Sequence, residues 1–458
     1  MKNRIFLAPP QRHRQTPARV TPAALLLTVL GLCTAQAQAQ SLADMVQAAR
    51  SHDSTFLGAQ RALEAGQARG DQARALLLPQ VNLAVAASHT QADYTTPALK
   101  YPFDTQTATV SAAQPLYRPQ NTASAAQGEK QTALAQAQYV AAAQDIVVRV
   151  SQAYFDVLAA QDTLEFLHRQ KAAVAQQRDA ARRNFELGNA NVTEQRDAQA
   201  SYDLVVAQEI AAENDLHIKH IALGLLTGLP QPQVHPLRSD ATLPEDSADR
   251  GDIAAWLASA STRNPSVTQA RIGREIAEWE TRKAEAGHRP TLDLVGSYTL
   301  ANNDGGTLTT TQSSRGSVAQ IGVQFNLPLY AGNAIRNRVR ETVALEEKAR
   351  NDLEGAERAV ALGVQSAYYG LASGRAQVQA LETATSSSQS ALDASSLGYQ
   401  VGARTNTDVL NAQSQLFGTQ ARLARARYDV LTGWLRLRQA AGTLDDADLE
   451  RVNSLLLP

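Results

Sequence analysis

The chain lacks most of what marks an enzyme or a nucleic-acid binder. Its 458 residues hold one cysteine, Cys33, so neither a disulfide framework nor a thiolate metal site is available. Lys plus Arg number 43 against 44 Asp plus Glu, a net charge of −1, without the basic surplus that nucleic acid demands. Aromatic residues make up only 5%, low for a conventional core of this length. Alanine and glutamine recur instead, as in long helices packed through small side chains. There is no phosphate-binding glycine loop, no His-Glu-x-x-His and no cysteine cluster. The eight histidines are scattered, and His168, His217 and His220 read as solvated or interfacial positions on helices. No catalytic residue, cofactor or metal site is expected. Proline is absent from residues 120–229 and 331–457, so the strongest helix breaker is missing over two long stretches.

What is present begins with an export signal. Arg4, Arg12, Arg14 and Arg19 form a basic segment, Ala23 to Leu32 an apolar one, and Ala35-Gln36-Ala37 and Ala37-Gln38-Ala39 are small-x-small cleavage sites. The apolar run falls short of the ~20 residues that span a bilayer. Residues 1–39 are therefore expected to be removed, with the mature chain starting between Gln38 and Gln40. Leu32 precedes Cys33, where a lipoprotein signal normally carries a small residue, which argues against lipidation. No later stretch reads as a transmembrane helix.

The rest of the chain is written twice. Gly188 followed by Ala198-Gln199 returns as Gly402 followed by Ala412-Gln413, and Ala153-Tyr154 returns as Ala367-Tyr368, at a constant offset of 214 residues. Leu78-Pro79-Gln80-Val81-Asn82-Leu83 answers Arg289-Pro290-Thr291-Leu292-Asp293-Leu294, and His52-Asp53 answers Arg263-Asn264. The expected organisation is repeat 1 over 40–229, a proline-containing linker over 230–251, repeat 2 over 252–443 and a tail over 444–458.

Each repeat opens with a helix, expected over Ser41–Leu77 and Asp252–Gly287 and stopped by a proline. Two strands follow. Val81, Leu83 and Val85 alternate with Asn82, Ala84 and Ala86; Ile321, Val323, Phe325 and Leu327 alternate with Gln320, Gly322, Gln324 and Asn326. Period two marks strands with one apolar and one polar face. The stretch Phe103–Gln114 is the weakest strand signal. The proline-free stretches then carry heptad steps such as Val140, Val147 and Tyr154, broken once near Gly188 and once near Gly402. Each repeat thus ends in a helical hairpin, whose first arm in repeat 1, Asn121 to Leu187, would reach on the order of 100 Å.

Two repeats supply four strands, which cannot close a barrel, and an open sheet edge has no hydrogen-bond partners in lipid. Either the strands are not in a membrane or a barrel is shared between chains. The alternative from another class is a soluble periplasmic coiled-coil adaptor or scaffold protein, which would explain the signal, the repeat and the hairpins but not paired strands in both copies.

Over the whole mature chain the sequence resembles the TolC-like outer-membrane efflux and type I secretion channels. The strongest local match is Gly398-Tyr399-Gln400-Val401-Gly402-Ala403-Arg404-Thr405-Asn406-Thr407-Asp408-Val409-Leu410-Asn411-Ala412-Gln413, answered in repeat 1 by Phe185-Glu186-Leu187-Gly188-Asn189-Ala190-Asn191-Val192-Thr193-Glu194. The resemblance implies a mainly α fold with β: a channel-tunnel in which long helical hairpins form a trimeric α-barrel below a shared 12-stranded transmembrane β-barrel, four strands per chain. It implies an outer-membrane exit duct of a tripartite export system, with a periplasmic adaptor and an inner-membrane ABC or proton-driven transporter as partners. Residues 230–251 and the C-terminal tail would form an equatorial belt. It also names a periplasmic gate, in which Tyr399 and Arg404 would bond to Thr193 and Glu194, and Asp408 would stand in a selectivity ring. Asn411 departs from the family's second acid, so three chains would present three carboxylates rather than six. Gly188 and Gly402 would shape the hairpin turns and meet the adaptor.

Overall fold

The computed structural model describes residues 40–96, 98–188, 191–238 and 252–457. The expected signal, with Cys33, and residues 239–251 of the expected linker lie outside the described residues. Among the described residues no helix is long and apolar enough to cross a membrane.

The opening helix of each repeat is broken in two, where one continuous helix was expected. In repeat 1, α1 (Leu42–His52) and α2 (Ser54–Ala75) are separated by Asp53 at φ −61°, ψ 118°. In repeat 2, α5 (Ile253–Arg263) and α6 (Pro265–Glu285) are separated by Asn264 at φ −62°, ψ 128°. Each break residue leaves the helical region because its side chain caps the next helix. The Phe56 amide donates to Asp53 Oδ1 at 2.7 Å, and the Ser266 amide donates to Asn264 Oδ1 at 2.8 Å. Pro265 adds a steric bar to helix at Asn264.

Four strands follow in two hairpins: β1 (Gln80–Thr95), β2 (Ala98–Tyr117), β3 (Thr291–Asp304) and β4 (Ser314–Asn326). They form one antiparallel sheet in the order β1-β2-β3-β4. The register joins Leu83 to Val110, Val110 to Tyr298 and Tyr298 to Ala319. The same face carries Val81, Val85, Leu294, Ile321, Val323 and Phe325, so apolar side chains run across all four strands, with Leu83 69% and Ile321 79% exposed. The other face carries Asn82, Ser111, Thr109, Ser297, Thr299 and Gln320. β2 reads weakly because its middle carries small or polar residues on both faces, Thr105, Thr107, Thr109 and Ser111 on one and Gln106, Ala108, Val110 and Ala112 on the other, yet at 20 residues it is the longest of the described strands.

Long hairpins complete both repeats: α3 (Pro119–Glu186, 68 residues) with α4 (Val192–Thr227), and α7 (Ala334–Gln400, 67 residues) with α8 (Asn406–Ala440). At 1.5 Å per residue α3 and α7 are each about 100 Å long. Small residues permit close approach where α2 crosses α3: a Cβ on Gly66 would lie 2.4 Å from Ala135 Cβ, and one on Gly70 only 2.2 Å from Thr132 Oγ1. The main core lies where α1, α3, α5 and α8 meet α9 (Asp446–Asn453), around Leu42, Met45, Tyr154, Phe155, Leu431, Trp434 and Leu435. Segment 232–238 ties Gln40 to the C-terminal stretch 455–457 here. The Gln40 amide donates to the Gln233 carbonyl at 2.8 Å, and the Arg238 amide to the Leu455 carbonyl at 3.0 Å. Tyr154 Oη accepts the His235 amide at 2.7 Å. Helices and sheet are fastened by Arg118, at the head of α3, which donates twice to Asp293 of β3 at 2.7 Å.

Candidate gate at the hairpin tips

Both hairpins turn in the same way. Leu187 and Gly188 donate to the Arg183 and Phe185 carbonyls at 3.0 and 2.9 Å; Val401 and Gly402 donate to the Leu397 and Tyr399 carbonyls at 3.2 and 3.1 Å. Gly188 and Gly402 share φ +77°. Among the described residues no atom lies within 4 Å of a Cβ built on either, so their positive φ calls for glycine through backbone conformation.

Past the second turn, α8 starts on a capping box. The Asp408 amide donates to Thr405 Oγ1 at 3.2 Å, while Asp408 Oδ2 accepts from the Thr405 amide and hydroxyl, both at 2.9 Å. These bonds, helped by the Arg404 guanidinium 4.0 Å from Oδ1, hold the Asp408 carboxyl below the usual carboxylate range. Asp408 thus both fastens the helix and presents a persistent negative charge. The Arg404 stem folds back over Gly398, where a Cβ would lie 2.7 Å from Arg404 Cγ. Asn411 is exposed one turn beyond Asp408.

Among the described residues two polar contacts join the hairpins at this end. Asn184 Nδ2 donates to Tyr399 Oη at 3.4 Å, and Thr407 Oγ1 donates to Asp197 Oδ2 at 3.3 Å. Above them Leu410 packs with Val174, Ala181, Ala198 and Val205, with Tyr202 at the margin. The Arg178 guanidinium covers the Tyr202 ring at 4.2 Å. Asn406 is 1% exposed, and among the described residues neither polar atom of its side chain has a hydrogen-bond partner.

The expected gate residues therefore gather at one end, but within one chain they do not pair as expected. Among the described residues no hydrogen bond or ion pair joins Tyr399 or Arg404 to Thr193 or Glu194. The Thr193 amide donates to Asn191 Oδ1 at 3.3 Å, and Glu194 occupies the first turn of α4, where its charge complements the helix dipole. The residues that tie the hairpins here, Asn184, Asp197 and Thr407, were missed. The available signal was helical spacing: Asp197 lies one turn beyond Glu194.

The sequence profile described as outer membrane efflux protein matches residues 45–229 and 256–443. The chain is 32% identical to the outer membrane protein TolC of Vibrio cholerae, over 93% of its own length and 96% of the relative's. It is 29% identical to the alkaline protease secretion protein AprF of Pseudomonas aeruginosa, over 90% and 87% of the two chains. Its fold matches that of the outer membrane protein VceC of Vibrio cholerae with a TM-score of 0.73, at 20% identity, over 88% and 96% of the two chains. With the channel-tunnel fold of four strands and two long hairpins, this chain belongs to the outer membrane efflux protein family and is an outer-membrane exit duct for export.

Proposed function

We propose that three copies of this chain close into one passive conduit without catalysis of its own, reaching from an inner-membrane ABC or proton-driven transporter, through a periplasmic adaptor, to the outside. The carrying observation is the sheet. Its four strands leave β1 and β4 with one pairing side each, and its apolar face is continuous and open to the surroundings. In lipid every backbone group needs a partner; three such sheets joined edge to edge would give twelve strands, a barrel of ordinary size. The apolar face would then meet lipid and the Thr- and Ser-rich face the lumen. On this reading residues 1–39 are the removed signal. Segments 230–251 and 444–458 belong to the belt around the junction of the repeats.

The hairpin tips are the gate. Asp408, from each of three chains, forms a ring that favours cations. Within a chain, Asn184–Tyr399 and Asp197–Thr407 hold the two hairpins together. Arg404 and Glu194, which do not pair within one chain, would meet across the boundary between chains, with Tyr399 and Thr193 beside them. Gly188 and Gly402 shape the ends that an adaptor would grip.

Membrane fractionation, chemical crosslinking and planar-bilayer recording test this reading together. It requires outer-membrane sedimentation, a trimeric crosslinked species and discrete channels. A soluble periplasmic protein that forms no channels would establish the adaptor or scaffold alternative instead.

A further inference from the structure

The first hairpin carries a second polar cluster, about 28 Å from its turn at 1.5 Å per residue. Its centre is Glu209 of α4, only 7% exposed and one turn from the buried Val205. His168 of α3 places Nε2 3.1 Å from Glu209 Oε1, and Lys171 places Nζ 2.5 Å from Oε2. Glu213 follows Glu209 by one turn and is exposed. One ligand atom from each of His168, Glu209 and Glu213 lies within 4.8 Å of the other two. Among the described residues the Glu213 carboxylate makes no hydrogen bond or ion pair. Two carboxylates against one ammonium leave the cluster one negative charge in excess when His168 is neutral.

We propose that His168, Glu209 and Glu213 form a site for a divalent transition-metal ion, zinc being the fitting example, which staples α3 to α4. The i, i+4 spacing puts both carboxylates on one face of α4, and the imidazole reaches them from the facing helix. One imidazole with two carboxylates suits zinc better than calcium or magnesium, which prefer oxygen alone. Zinc bonds of about 2.0–2.2 Å require donors roughly 3–3.5 Å apart. Glu209 is already placed, and the exposed His168 and Glu213 side chains need only rotate inward. Their exposure also supplies the entry path. Lys171 remains on the second oxygen of Glu209, the outer partner that ligating carboxylates ordinarily have. Sequence spacing did not show this site, because its ligands come from two helices and follow no continuous motif.

The test uses the full chain, purified in detergent and stripped with a chelator, titrated with zinc chloride in a calorimeter. Wild type is expected to bind one zinc per chain and to melt at a higher temperature when zinc is present. His168→Ala and Glu213→Gln each replace an exposed side chain and leave the helices folded by circular dichroism. Each is expected to weaken binding at least about tenfold. His217→Ala, one turn past Glu213, is expected to bind as wild type. Wild type binding no more zinc than a His168→Ala/Glu213→Gln double variant would overturn the site and leave an ordinary ion-pair cluster. Binding that survives His168→Ala but not His217→Ala would overturn it equally, by placing the metal on α4 alone.

Discussion

Thr407 at the start of α8 donates a hydrogen bond to Asp197 of α4 at 3.3 Å. This contact joins the free ends of two hairpins from opposite repeats. Leu410 packs into the first hairpin one turn further along α8, so a polar tie lies over an apolar one. Water reaches the polar contact first, which suits the proposed gate.

Asp197→Ala is expected to loosen that joint. A hydrogen bond to a charged group contributes about 1.5–3 kcal/mol when dry; at this half-exposed position about 1 kcal/mol remains, roughly a fivefold shift toward the open state. Single-channel recording reads it as a raised open probability, with Tyr399→Phe additive or nearly so. An unchanged open probability in the double variant would remove both contacts from the gate.

In the proposed selectivity ring, Asp408 would set the pH response. Its carboxyl is held low by the Thr405 bonds and then by Arg404, so it stays charged as pH falls through the ordinary aspartate range near ~3.9. Cation preference should persist to below that pH and be lost only under it; reversal potentials measured across pH decide. Asp408→Ala should abolish most of the preference at neutral pH. Asn411→Asp, adding a second ring of three carboxylates, should increase it. A preference that titrates away above pH ~4 would assign it to other groups.

Asp53 is a second carboxylate with a lowered pKa, and it contributes to stability beside the core. Arg149 donates to both its oxygens at 3.0 and 3.1 Å, which lowers its pKa although burial opposes the shift. A carboxylate depressed in the folded state stabilises fully above its unfolded pKa and loses that contribution as pH falls through the folded one. Asp53→Asn keeps a good helix cap but loses the ion pair. Thermal melts in detergent should show a loss of about 2 kcal/mol at neutral pH that shrinks as pH falls below the ordinary aspartate range near ~3.9.

Arg118 and Asp293 form the corresponding fastening between helices and strands. Asp293 is 6% exposed, so Arg118→Met strands a buried carboxylate at a cost of roughly 3 kcal/mol. Arg118→Lys should recover little, because one ammonium cannot repeat two parallel bonds. Heat-dependent loss of the folded species on gels measures both, and full recovery by lysine would show that charge alone matters there.

Much of this was readable in one dimension. The break of the first helix in each repeat was legible in principle, since Asp53 and the Asn264-Pro265 pair are capping and helix-stopping residues. The expected single helix passed over them because the apolar pattern runs on across the break. β2 read weakly because Gln106, Ala108 and Ala112 stand where its apolar face would carry larger apolar side chains, and pairing with β1 and β3 along its length supplies what the side chains lack.

By itself the sequence determined the repeat, the period-two strands, the reach of the hairpins and the glycine at each turn. These depend on local backbone geometry, which a residue and its near neighbours decide. Only the tertiary structure decided which tip residues meet and that His168 faces Glu209. Each residue step turns a helix by about 100°, so a slip of one position moves a side chain to another face. Partners on different helices are therefore set by packing along the full length of the hairpins, through contacts such as Leu410 against Ala198, and no short stretch of the chain records them.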